Sequence, residues 1–228
     1  MDAVLENSDA VLKAFGYTGL LFIISGVASL LLGTLLAALR VGPVAVLRRA
    51  VAIYVTLIRN TPLLVVLLFF RIAGPKVGLR FDFIDVQVAG FNLNNIFTAC
   101  VVGLTVYTST FVCEAIRSGI NAVPLGQAEA ARAIGLTFGG AMSQVILPQA
   151  FRASLPPLTS VQIALLKNTT VAGAVGVFEA FARMRSLTND YTTQAFMIFV
   201  VFALIFVVLV ELLSAASYAV ERRWRAAR

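Results

Sequence analysis

Charged residues punctuate this chain at long intervals. Thr18 to Leu39 carries no charge, and Arg40, Arg48 and Arg49 follow it directly. A second apolar block, 50–70, is interrupted at Arg59-Asn60-Thr61-Pro62, and three more occupy 96–116, 157–177 and 195–218. Each is near the roughly 20 residues that cross a bilayer core as a helix. The pattern predicts an all-α membrane protein of about five transmembrane helices, read as one domain over 1–228, with a polar, small-residue segment at 117–156 between the third and fourth.

Loop charges orient these spans. With the N-terminus outside, Arg40, Arg48, Arg49, Arg117, Arg132, Arg152, Arg222, Arg223, Arg225 and Arg228 face the cytoplasm, against Lys13, Arg71, Lys76, Arg80, Arg183 and Arg185 outside. The positive-inside bias therefore gives N-out and C-in, and it puts 117–156 in the cytoplasm. Acidic residues, including Asp2, Glu6, Asp9, Asp82, Asp85, Glu179 and Asp190, then fall mainly outside. The first 16 residues are acidic rather than basic at their start, so a removable signal peptide is not expected.

Composition narrows the chemistry. The chain is 60% hydrophobic with a mean hydropathy of +0.93, far outside the soluble range. Absence of histidine removes zinc–histidine sites and every Ser-His or Cys-His nucleophile. No phosphate-cradling G-x-x-x-x-G-K-[ST] run occurs, so any ATP chemistry belongs to a partner. The net charge of +7 is spread over loops and the C-terminus, which fits membrane orientation rather than nucleic-acid binding. Cys100 and Cys113 stand about 20 Å apart along one helix and cannot bridge each other.

Polar groups inside apolar blocks are the candidate substrate contacts. Lys167-Asn168-Thr169-Thr170 falls about 15 Å into a span counted from Pro157, near the midplane, with Ser160, Lys167 and Thr170 on one face. A lysine there is either functional or tied to a neighbouring helix. Thr61-Pro62 reads as an N-cap and first helical residue, so a helix starts there. Either a span is broken near its middle at Arg59, or an interfacial helix from about Val44 to Arg59 precedes a span from Pro62; in both, a positive helix end faces a cavity. Gly103, Tyr107, Thr110 and Glu114 share a face, with Arg117 one turn on as an ion-pair partner for Glu114.

The cytoplasmic segment has its own pattern. Pro124-Leu125-Gly126 reads as a turn, Ala128 to Ile134 as a short helix, and Gly135 as a terminator able to take positive φ. Ala130 and Ala131 offer a flat small-residue patch, with Glu129 and Arg132 at its rim. Glu129-Ala130-Ala131, then Gly135, then Leu147-Pro148 closely resembles the EAA signature of ABC importer membrane subunits, with Val145 where that family usually has Ile. Arg59-Asn60-Thr61-Pro62-Leu63, Glu114-Ala115-Ile116-Arg117-Ser118-Gly119-Ile120 and Lys167-Asn168-Thr169-Thr170 look like the polar amino-acid branch of these permeases. The family often has Gly in place of Asn60 and Ser in place of Thr170.

This resemblance implies a five-span permease in a bacterial inner or plasma membrane. It implies a second, related permease subunit, two ATP-binding subunits that carry ATP and Mg, and an extracytoplasmic substrate-binding protein. This chain itself would need no cofactor. The Arg-Asn-Thr-Pro and Lys-Asn-Thr-Thr variants look most like glutamate-uptake permeases, with basic amino acids or glutamine as alternatives. A channel would have no need of a docking helix, and no filter-like Gly-rich loop lies between the spans. A self-sufficient secondary transporter would need internal repeats or more spans.

Overall fold

Lipid tails are as apolar as leucine, so helices in a bilayer associate through close packing and small residues rather than through burial from water. The fold is built on that principle. A computed structural model describes residues 2–81, 86–88 and 90–226. Asp82, Asp85 and Arg228, placed in loops by the charge pattern, lie outside the described residues, as does the side chain of Arg225. Helix α1 (Asp2–Glu6) leads into α2 (Ser8–Val41), α3 (Ala45–Arg59) and α4 (Leu63–Leu68), and α4 runs through a π-helical turn into α5 (Gly74–Lys76). A small antiparallel hairpin pairs β1 (Val86–Val88) with β2 (Phe91–Leu93), Val86 opposite Leu93. Then come α6 (Asn95–Asn121), α7 (Leu125–Ala133), α8 (Phe138–Ala141), α9 (Leu147–Asn168), α10 (Ala180–Asp190) and α11 (Ala195–Ala226).

Three helices, α2, α6 and α11, are long and apolar enough to cross a bilayer unbroken. The segments 45–76 and 138–190 pass the same test only as bent pairs, so counting each pair as one crossing gives the expected five. Helix α2 exceeds the expected 18–39 at its N-terminal end: its 34 residues reach about 51 Å, beyond the bilayer core. At its centre α2 packs on α6, and α6 packs on α9. A Cβ placed on Gly33 would lie 2.5 Å from Val112 Cβ and 2.8 Å from the Ser109 carbonyl oxygen, and one on Gly119 would collide with Ser154 Oγ and lie 2.6 Å from the Ala150 carbonyl oxygen. Glycine lets these backbones approach where any side chain would hold them apart.

Two expected boundaries need correction. The bend between 45–59 and 63–76 is 104°, far sharper than a kink, and it fits the crosswise helix followed by a span from Pro62. Helix α3 meets α6 only over a short band: Tyr54 Oη donates to the Val106 carbonyl at 3.1 Å, while Val51 and Val55 pack in one cluster with Ala37 and Cys113. Thr61 is not the N-cap. Pro62 holds that place, and the Thr61 hydroxyl donates backwards to the Leu57 carbonyl at 2.8 Å.

The second correction concerns Pro157. Pro156 and Pro157 lie inside α9, which begins at Leu147. Their missing N–H groups deprive the carbonyls of Arg152 and Ala153 of helical donors, a loss that membrane helices tolerate. The depth of Lys167 counted from Pro157 therefore has no basis. After Asn168 the chain tightens into a 3₁₀ stretch, Thr169–Val175, and turns at Gly176, whose φ of 108° suits glycine.

Candidate functional site

Helix α9 is the wall between two different environments. Ser160, Ala164 and Asn168, spaced i, i+4 and i+8, face Tyr107, Thr108 and Phe111 of α6 across a cavity of about 350 Å³. The Thr108 hydroxyl is buried on that wall with no hydrogen-bond partner among the described residues. An unsatisfied buried hydroxyl costs on the order of 1–3 kcal/mol, so a polar occupant of this cavity would regain a hydrogen bond.

Of Ser160, Lys167 and Thr170, expected on one face, Ser160 lines this cavity, and Asn168 lines it with Ser160. Lys167 keeps its i+7 place on the Ser160 side of α9, and Thr170 lies in the 3₁₀ stretch beyond the α-helical end. Lys167 is exposed. Thr169 and Thr170 donate their hydroxyls to the Leu166 and Lys167 carbonyls, each at 2.7 Å. The expected face on α6 also divides: Gly103 packs on Leu67, Tyr107 lines the cavity, and the buried Thr110 hydroxyl donates to the Tyr107 carbonyl at 2.7 Å.

Glu114 is the hub of a wider cluster than an i,i+3 pair with Arg117. It accepts from Arg40 at the end of α2, lies 3.2 Å from Arg117 Nε, and stands 3.8 Å from Arg59 at the end of α3. Three helices are tied to one carboxylate, with three guanidiniums against one negative charge. Arg59 also stacks over the Phe111 ring, 5.0 Å from its centroid, so it joins the cluster to the cavity wall. Asn60 closes α3 with its N–H on the Thr56 carbonyl at 3.2 Å. Arg40 entered the sequence reading only as an orienting charge, and Thr108 and Phe111 gave no signal apart from their spacing relative to Tyr107.

On the cytoplasmic side, α7 begins three residues before the expected helix, at Leu125, behind Pro124. Gly135 has φ 87°. Its N–H bonds the Arg132 carbonyl at 2.9 Å and that of Leu136 bonds the Ala131 carbonyl at 3.1 Å, the paired pattern of a Schellman termination. Ala131 is buried and packs back onto the chain, so the flat patch expected of both alanines belongs to Ala130 alone. Glu129, Arg132, Leu147 and Pro148 are exposed, and Leu125 and Ile134 stand 81% and 79% exposed at the two ends of the helix.

Residues 29–226 match the family described as the inner membrane component of binding-protein-dependent transport systems. The chain is 42% identical to the glutamate transport system permease protein GluC of Corynebacterium glutamicum over 88% of its own length and 87% of that protein. It is 34% identical to the probable glutamine ABC transporter permease protein GlnM of Bacillus subtilis, covering 96% and 95%. Among solved structures, an amino acid ABC transporter with histidines is similar at TM-score 0.83 and 28% identity over 96% of both chains. The MetNI methionine ABC transporter, inward facing, shares the fold at TM-score 0.72 and 22% identity, over 96% of this chain and 98% of that one. A five-crossing helical core and a separate exposed helix, matched to these relatives over nearly their whole length, make this chain a member of the inner membrane permease components of binding-protein-dependent transport systems.

Proposed function

We propose that this permease passes glutamate through the cavity between α6 and α9, delivered by an extracytoplasmic binding protein and driven by two ATP-binding subunits. A second, related permease chain supplies the facing wall. One observation carries the substrate reading beyond the names of the relatives: Arg59 stacks on Phe111, which lines the cavity beside Asn168. A guanidinium stacked on a ring of that wall favours a carboxylate-bearing substrate. Asn168 and Thr108 then offer neutral hydrogen-bonding groups. Glu114 holds Arg59 in place.

Coupling in this reading runs through α7. Its exposed Leu125, Glu129, Ala130, Arg132 and Ile134 dock an ATP-binding subunit, and Gly135 with Leu147-Pro148 sets the angle at which the helix is presented. No ATP or Mg site is assigned to this chain.

The test is uptake of labelled glutamate into vesicles holding the full complex, at saturating binding protein. Asn168→Ala is expected to lower the rate about tenfold, the effect of roughly 1.4 kcal/mol at the membrane site, with binding to the separate protein unchanged. Wild-type uptake by that variant, or preferred uptake of arginine by the wild type, overturns the assignment of site or substrate respectively.

A further inference from the structure

The other face of α9 borders a second space that transport of a polar solute does not use. Leu155, Leu158 and Thr159 look away from Ser160 and Asn168 into a cavity of about 460 Å³ against α2 and α11. A further cavity of about 780 Å³ continues it towards the N-terminal end of α2, and the two share Phe22 and Leu213 on their walls. Together they form one groove running along the bilayer normal.

Its two ends differ in charge. Asp9 and Ser8 stand on the wall of the outer end. At the cytoplasmic end, Arg152 lies three residues before Leu155 on the same face of α9, and Arg223 lies three residues after Val220 of α11, whereas Arg222, two residues after Val220, lies on the opposite face of that helix. Arg152 and Arg223 are exposed, and Glu221 is the acidic residue on that wall. The mouth therefore carries a net charge of about +1, counting two arginines against one glutamate.

We infer that this groove holds an acyl chain of an anionic phospholipid from the cytoplasmic leaflet, with its phosphate at Arg152 and Arg223. An occupant with one long apolar end and one anionic end matches the groove in both respects. Basic residues between transmembrane helices on the cytoplasmic side recognise anionic headgroups in this way. The acid at the outer end opposes the reverse orientation. A transmembrane helix from another protein would fit the apolar walls but would leave the arginines at the mouth without a counter-charge.

The experiment uses the complete permease complex in vesicles of phosphatidylcholine containing a trace of phosphatidylglycerol or phosphatidylcholine with a photoactivatable acyl chain, and maps labelled residues by mass spectrometry. Phosphatidylglycerol is expected to label the groove, at Leu158 and Leu213, several-fold more than phosphatidylcholine. Each of Arg152→Gln and Arg223→Gln is expected to reduce that excess by up to about fivefold, while Arg222→Gln, on the far face of α11, leaves it nearly unchanged. Leu158→Trp, which fills the groove and keeps every arginine, is expected to abolish groove labelling by both lipids. Equal labelling by the two lipids in the wild type overturns the proposal without any variant. So does an excess that survives both the Arg152 and Arg223 substitutions, or a Leu158→Cys crosslink to another subunit in place of lipid.

Discussion

The membrane core and the cytoplasmic segment of this permease are held in opposite ways. Where α2, α6 and α9 meet, Gly33 and Gly119 bring backbones so close that a single added carbon strikes its neighbour. In α7 nothing lies within 4 Å of a carbon added to Gly126 or Gly135, and the large side chains Leu125 and Ile134 point into open space. The difference follows from the two solvents. In lipid, contact density is what holds helices together. In water, a short helix with exposed apolar ends is held by its own termination and awaits a partner. If α7 docks an ATP-binding subunit, as proposed above, it can transmit force only if the core behind it does not yield.

The sharpest way to break this contrast is Gly119→Ala. The new methyl meets Ser154 Oγ and the Ala150 carbonyl, and the second of these is backbone that cannot rotate away. Forcing the helices apart is expected to cost about 1–3 kcal/mol or more, lowering the yield of folded permease and its thermal midpoint in detergent. The double variant with Ser154→Ala should recover only part of the loss. Wild-type stability of Gly119→Ala would show that the core has slack, and the comparison would fail.

Glu114→Gln tests the seam between the two regions. It leaves Arg40, Arg59 and Arg117 facing one another without a counter-charge. Breaking a fully buried pair costs about 3–5 kcal/mol; here the arginines are 16–41% exposed, and screening reduces the expected loss to about 1–2 kcal/mol. High salt should narrow the gap between variant and wild type. A double-mutant cycle with Arg59→Gln is expected to show coupling smaller than one with Arg40→Gln, since Arg59 is the more distant and more exposed partner.

The sequence made these regions legible to different degrees. Gly135 was readable because a left-handed helix terminator has a local code, and the structure gives it φ 87°. The break at Arg59-Asn60-Thr61-Pro62 was readable as a break, but its 104° angle was not, because how α3 lies depends on contacts with distant residues, such as Tyr54 on Val106. Pro156-Pro157 misled because proline ends helices in water, whereas α9 carries both in its interior. The Arg40–Glu114 pair joins residues 74 apart, which no local pattern encodes. Asn168 was picked out as polar in an apolar block, yet its partners in the cavity depend on how α6 lies against α9.

The smallest structural change is expected at Gly135, and it separates stability from coupling. Its φ of 87° strains any L side chain, but an added Cβ meets no atom within 4 Å. Gly135→Ala should therefore cost about 1 kcal/mol locally, with the thermal midpoint of the membrane core nearly unchanged. Asparagine tolerates the left-handed region better than alanine, so Gly135→Asn should lose less. If α7 is the docking element, ATP hydrolysis stimulated by the loaded binding protein falls in the order glycine, asparagine, alanine, while basal hydrolysis by the ATP-binding subunits is preserved. Should alanine and asparagine act alike, the loss would come from side-chain bulk at the docking surface rather than from backbone strain. Were stimulated hydrolysis untouched by either, α7 would be an ordinary connection, and the contrast between a rigid core and a poised helix would carry no functional meaning.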